Sequence, residues 1–332
     1  MSEIRLCKDR DLDDLKMFLH KYWQKNHILS ISETLMNFQH SNIDGYNFVL
    51  SFSKGEINGV LGFIEVAKYD IQLSENRDIW LAIWKIIDEK NNQGVGFSLF
   101  KWLVKNVNPK SIGAIGINRN VRKFYEILGY KTGEMNHYFI KNPYKSILKI
   151  ADIQSNFSKP TTIDKSTKIF EIKNKDLNKI KYSSYPRKSN IYLQKRYVNH
   201  PYYNYKIFGV FYNDQLSLIL VIRKIFVSGS NCLKIVDMQG DFFGVKSIIN
   251  PLIELMIKND SEFIDCLNFG LSEEIFYQLG FMKKNKELDI IPNYFEPFKK
   301  INNQILFAFK AEREYCIFKG DSDQDRPNQI IS

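Results

Sequence analysis

The chain has 332 residues, 44% of them apolar and 25% charged, which is enough to bury a sizeable core and excludes wholesale disorder. At roughly 150 residues per domain this length suits two domains. Lys and Arg number 47 against 37 Asp and Glu, a net charge of +10, so anionic partners are expected: nucleic acid, an acidic membrane or phosphorylated small molecules.

The first residues, MSEIRLCKDRDLDDL, mix charges with no apolar stretch behind them, so no secretory leader is expected. IRL predicts a strand. Leu12, Leu15, Phe18 and Leu19 recur at helical spacing and predict a helix over 11–25. Residues 32–39 predict a second helix, capped by Ser32 with Glu33 in its first turn. Strands are predicted over 46–52 and 60–66, joined by Lys54-Gly55-Glu56, and a third over 78–87. Asn91-Asn92-Gln93-Gly94-Val95-Gly96 follows, then a helix over 97–104, a strand over 111–117 and a helix over 121–128 stopped by Gly129. One strand is predicted over 131–140. The polar stretch 151–167 reads as a linker between domains 1–150 and 168–332. Beyond it come a strand (169–172), the start of a helix (176–181), a hairpin (206–211 and 216–221) around Asn213-Asp214, a strand (233–237), a helix (247–258), a strand (263–269) and a helix (272–279). The whole is α/β or α+β. Nowhere do about 18 apolar residues run together to span a membrane. Cys7, Cys232, Cys266 and Cys316 stand alone, without CxxC or zinc spacing, so neither a disulfide framework nor a metal site is expected. A cytoplasmic protein is expected.

The halves match at three points in the same order. IRLCKDRDL (4–12) parallels IFEIKNKDL (169–177). Tyr46 with KGEI parallels Tyr205 with NDQL. FYEILGY (124–130) parallels FYQLGF (276–281). A duplicated domain is the expectation.

Gly94 and Gly96 lie between a strand and a helix, where backbone N–H groups and a helix N-terminus form an anion cradle. Further on stands Asn118…Val121…Phe124-Tyr125…Gly129-Tyr130. Together these motifs resemble a GNAT-fold acyl-CoA-dependent N-acyltransferase, with Asn91 where that family usually has Arg or Gln and Val121 for its usual Ala. The resemblance covers roughly residues 3–140. It implies acyl-CoA as co-substrate, held by Trp84, Ile86, Ile87, Asn91, Asn92, Gln93, Gly94, Val95, Gly96, Asn118, Arg122 and Tyr125. It implies that Tyr125 protonates the departing sulfur. The second half resembles a degenerate copy: Gly240 and Gly244 are mis-spaced beside Asp241, so one CoA site is expected. The tandem arrangement, the tail 318–328 and the stretch 196–205 resemble nucleotide-linked amino-sugar N-acyltransferases of surface-polysaccharide pathways. The implied acceptor is then a nucleotide-diphospho amino sugar, and a monomer or homodimer without nucleic acid.

Residues 79–87 contain no acid to serve as base, so either a water does that work or the second half supplies the carboxylate, with Asp237 and Asp265 as candidates and a structural role as the alternative for each. Trp80 and Trp84 are placed on one face of their strand, as acyl-pocket walls or core. His40, Arg196, His200 and Tyr202 are candidate acceptor-binding residues. Two other readings stay open: a FemAB-like tRNA-dependent aminoacyltransferase, and a non-catalytic CoA- or effector-binding protein.

Overall fold

The computed structural model describes residues 3–156, 166–173, 177 and 184–328. They form two compact units. One comprises the described residues up to Thr132 with Phe307–Glu312 and those from Ser322 on; the other comprises Gly133–Leu306 and Arg313–Asp321. The expected boundary at 150 is therefore not where the units divide. Of the expected linker, 157–165 lies outside the described residues, while Ala151 and Ile153 are buried in the second unit's core.

The first unit opens with β1 (Glu3–Lys8), α1 (Leu12–Phe18), a π-helical turn at Leu19–Trp23, α2 (Ile28–Ile31) and α3 (Glu33–His40). The helix expected over 11–25 thus ends early in a wider turn. Ser32 caps α3 as expected, its Oγ accepting from the Leu35 amide at 3.1 Å. Next come β2 (Gly45–Ser53), β3 (Glu56–Glu65), β4 (Asp78–Ile86), α4 (Val95–Val107), β5 (Ser111–Ile115), α5 (Arg119–Ile127) and β6 (Lys131–Glu134). Neighbouring strands from β1 to β4 are antiparallel, and β4 and β5 run parallel.

The single strand expected over 131–140 is two. It breaks at Met135, and β7 (Asn136–Lys141) enters the other sheet. The remaining elements are β8 (Thr167–Glu171), α6 (Asn190–Leu193), β9 (Tyr205–Tyr212), β10 (Gln215–Val227), β11 (Ser230–Gly240), α7 (Ile249–Asn259), β12 (Phe263–Phe269), α8 (Glu273–Leu279), β13 (Met282–Lys283), β14 (Leu306–Lys310) and β15 (Ile317–Phe318). Of the helix expected over 176–181, only Leu177 is described.

The two sheets have the same plan. The first reads β1-β2-β3-β4-β5-β14-β6 and the second β8-β9-β10-β11-β12-β7-β13. Each has an antiparallel meander of four strands, a parallel fifth, an inserted strand and a short sixth. The inserted strands are exchanged along the sequence: β14, from the end of the chain, pairs with β5, and β7, from the first half, pairs with β12. The repeat seen in the sequence is thus a repeat of topology. No helix among the described residues is long and apolar enough to cross a membrane.

The first core joins Val49, Leu61, Phe63, Ile79, Leu81, Leu99, Phe100 and Tyr125 between sheet and α4. The second joins Tyr138, Leu220, Ile235, Leu252, Phe276 and Phe281. Tyr138 and Phe276 stack there with ring centroids 3.8 Å apart.

Candidate functional site

Pairing between β4 and β5 ends at Leu81 and Ala114. Beyond that point the parallel strands part, and β4 carries a bulge: Phe63 faces Leu81, but Leu61 faces Trp84, so β4 spends one extra residue. The bulge shifts the side-chain alternation. Ile79, Leu81, Trp84 and Ile86 all pack on the α4 face. Trp80 is fully buried and lies over Gly113 of β5, where a larger residue would collide with its ring. The two tryptophans expected on one face are therefore separated, because the strand is not regular.

The Ile87 amide donates to the Asn58 carbonyl at 3.0 Å, on the β3 side. By the alternation of a strand, the amides of Ile86 and Trp84 face the opposite way, into the gap left by β5. These are donors without a sheet partner, at the height where the sequence places an acyl carbonyl.

The chain then turns through Lys90–Asn92 into α4. Gly94 sits at φ +81°, a left-handed conformation that disfavours side chains, with nothing within 4 Å of the space its Cβ would fill. The ladder of α4 begins with Ser98 N–H donating to Gly94 C=O at 3.0 Å, so the Val95, Gly96 and Phe97 amides have no partner within the helix. With the positive end of a helix of 13 residues they make an anion cradle. A cavity of about 550 Å³ opens in front of it.

Trp84, Ile86, Ile87, Asn92, Gln93, Gly94 and Gly96, all expected, line this cavity. Lys85, Asp88, Glu89, Phe97 and Phe124 join them and were not expected; only the 3.6-residue spacing of a helix signals Phe97. Asn92 is a tether: its Oδ1 accepts from Asn58 Nδ2 at 2.8 Å and its Nδ2 donates to Ile87 C=O at 3.0 Å, fixing the loop to the strand. Asn91 is exposed outside the lining, and Val95 is buried in the core. Asn118 caps α5, accepting from the Asn120 amide at 3.1 Å. Arg122 is turned to a surface network, donating to Glu126 at 2.9 Å and Thr132 at 3.0 Å. These four expected ligands thus stand outside the cavity lining.

Tyr125 is buried beside the cavity, edge-on to Trp84 at 6.2 Å, and Trp84 stacks on Phe100 at 5.6 Å. Burial pushes the Tyr125 phenol well above its ordinary pKa, so it holds its proton at any neutral pH.

The acceptor-side expectations fare differently. His40 is fully buried, its Nδ1–H donating to the Phe63 carbonyl at 3.0 Å. Burial pushes its pKa down to about 4, so the imidazole is neutral. Asp237 is fully buried: Lys188 Nζ and Tyr197 OH each donate to it at 2.7 Å, and Gln239 Nε2 at 3.0 Å. Lys188 also pairs with Asp321 at 2.9 Å. Asp265 is fully buried too, bonded by His137 Nε2 at 2.5 Å and by Lys234 Nζ. Burial opposes its charge, but Lys234 and His137 outweigh it and hold its carboxyl below the usual range. Neither aspartate is open to an amine; both are structural carboxylates, the alternative the sequence left open. Arg196 is buried, donating to the Gly320 carbonyl at 3.1 Å. His200 Nδ1 accepts from the amides of Tyr202 at 3.2 Å and Tyr203 at 2.9 Å. Arg196 and His200 are thus engaged by backbone groups of the fold.

In the second unit the equivalent turn is self-filled. Asp241 Oδ1 accepts from the Phe243 and Gly244 amides at 3.1 and 3.0 Å. A carboxylate of the chain thus sits on the amides an anion would need. Its parallel pair, β11 and β12, parts after Ile235 and Cys266, and the gap takes β15, with the Gly320 amide on the Val236 carbonyl at 2.8 Å.

No protein-family model and no curated protein matches the chain. Solved structures do match its fold. A GCN5-related N-acetyltransferase from Anabaena variabilis aligns over 93% of this chain and 72% of its own, with TM-score 0.54 and 9% identity. A conserved protein of unknown function and probable N-acyltransferase from Enterococcus faecalis aligns over 94% and 73%, with TM-score 0.53 and 9% identity. A GCN5-related N-acetyltransferase from Kribbella flavida aligns over 94% and 71%, with TM-score 0.50 and 9% identity. The fold is that of the GCN5-related N-acetyltransferases (GNAT).

Proposed function

We propose that this chain is an acyl-CoA-dependent N-acyltransferase with one CoA site, in the first unit, and that its acceptor is the amino group of a nucleotide-linked amino sugar. The observation that carries the first part is the Gly94 turn. Unpartnered amides at the head of α4 face a cavity that continues to the unpaired edge of β4. Pyrophosphate suits the former and a thioester carbonyl the latter. The filled Asp241 turn supports a single site. The sugar acceptor is supported by the sequence resemblance of the tail 318–328 and by a net charge suited to two polyanionic substrates.

The chemistry asks little of the protein beyond placement. The amine nitrogen attacks the thioester carbon, C–N forms and C–S breaks. The developing oxyanion meets backbone N–H groups of β4, the sulfur takes the Tyr125 proton, and the nitrogen releases one to solvent, from which the phenolate regains its own. Titration calorimetry with CoA tests the site, with one site per chain expected. Thiol release from acetyl-CoA in the presence of a thymidine-diphosphate 4-amino-dideoxyhexose tests the acceptor. CoA binding without transfer to that sugar overturns the acceptor. Absence of CoA binding overturns the whole reading.

A further inference from the structure

The first unit ends in a feature no strand of its sheet supplies. Ser322 Oγ donates to the Leu81 carbonyl at 3.2 Å, and Gln324 Nε2 donates to the Ile115 carbonyl at 2.9 Å. Leu81 is the last residue of β4 paired to β5, and Ile115 is the first of β5 beyond the pairing. The tail therefore bridges the two strands at the root of the gap. Gly116, at φ +76°, lies against it so closely that a Cβ there would come within 2.5 Å of Gln324 Nε2. Between the two bridging residues, Asp323 is held by Arg326 at 3.1 Å, and Arg326 reaches His27 at 3.0 Å. Ser322 and Asp323 are buried. This is a packed wedge, anchored on both sides and behind.

We infer that Ser322 and Gln324 form the floor of the acyl pocket and restrict the first unit to short acyl groups. The inference rests on the reading of this unit as an acyl-CoA site. A thioester carbonyl on the Trp84 amide stands three residues from Leu81, but the bulge fits them against the two-residue step from Leu61 to Phe63, so the separation is about 7 Å along the strand. The wedge takes up about 4 Å of that as ordinary van der Waals contact. What is left accommodates two or three carbons. A longer chain would have to displace buried, hydrogen-bonded groups or crowd the pocket, both of which are costly.

Calorimetry on the full chain with CoA, acetyl-CoA and octanoyl-CoA tests this without any acceptor. The expected result is octanoyl-CoA binding at least about tenfold more weakly than acetyl-CoA. In Gln324→Ala, and more so in Ser322→Ala/Gln324→Ala, the ratio of the two affinities falls by about threefold or more, each referred to CoA on the same variant. The melting transition reports whether each variant is folded, and Gln324→Ser replaces any that is not. Equal binding of the two thioesters to the native chain, or an unchanged ratio in the folded variants, overturns the floor. If CoA itself does not bind, it is the reading of the site that fails, and the CoA titration separates the two.

Discussion

Phe307 lies beside Ile115 in the ladder of the first sheet, joining a strand near the end of the chain to one near its middle. Phe307 is buried. A fragment ending at residue 150 keeps β7, which belongs to the second sheet, and lacks β14, which belongs to the first. Such a fragment is expected to show no cooperative urea transition. In the full chain, Phe307→Ala is expected to cost about 3–5 kcal/mol, seen as a lowered urea midpoint. A stable, cooperatively folding fragment 1–150 would contradict the exchange.

Gly94→Asp places a side chain and a negative charge in the open space before the α4 amides. The residue must also hold φ +81°, at a cost of about 1–2 kcal/mol. CoA binding by calorimetry is expected to vanish while the melting transition moves only slightly. Gly244→Asp, in the turn already filled by Asp241, is expected to leave CoA affinity as it was.

Tyr125→Phe is expected to lower kcat by about 10²-fold with little change in CoA affinity, since a proton donor acts in the transition state. Burial raises the phenol's pKa. The donor therefore stays protonated, and the pH–rate profile should show no alkaline fall attributable to it below about pH 10. Undiminished kcat in Tyr125→Phe would leave the ring a packing role only.

Asp237→Asn leaves Lys188 buried with Asp321 as its remaining carboxylate. Breaking such a pair is expected to cost on the order of 3 kcal/mol. The loss should appear in the melting transition, and CoA affinity per folded molecule should be unchanged.

Acid should weaken the fold well before carboxylates titrate. Burial pushes His27 to about 3, and His40 and His137 to about 4. Their unfolded value is about 6.5. Between these values the unfolded chain binds protons that the folded chain refuses, so stability is full above about pH 6.5 and is lost as pH falls toward 4. Each group contributes up to about 1.4 kcal/mol per pH unit in that window. Urea unfolding at pH 7, 6 and 5 should show the decline, and His40→Asn should make it shallower. A flat profile would contradict the burial assigned to these rings.

How much of this could be read from residues alone depends on how local the cause is. The strand Phe263–Phe269 was expected to the residue, because an apolar run between polar breaks is a local signal. The Gly94 turn was legible for the same reason, since a left-handed position before a helix selects glycine within a few residues. The break at Met135 was not, because whether 136–141 continues one sheet or joins another depends on β12, far along the chain. Likewise β14 and β15 are short, and their partners are remote. Asp237 and Asp265 read as candidate bases because an acid in an apolar strand calls for an explanation. The explanation is Lys188, Lys234 and His137, whose approach no spacing announces. The bulge in β4 changed which tryptophan reaches the cavity, and one extra residue in a ladder leaves no mark in composition.

The exchanged strands also set a timetable for synthesis. A ribosome that has made the whole first half has not yet made the strand that completes the first sheet. β5 must wait, its edge uncovered, until residue 310 has emerged. The second sheet does not wait in this way, since β7 is made before β12, but the nascent chain carries the open edge of β5 for most of its translation. Slow, end-dependent folding follows, with holdase chaperones the natural guardians of that edge. A stop codon that removes only the final tenth of the message would therefore harm the beginning of the protein as much as its end.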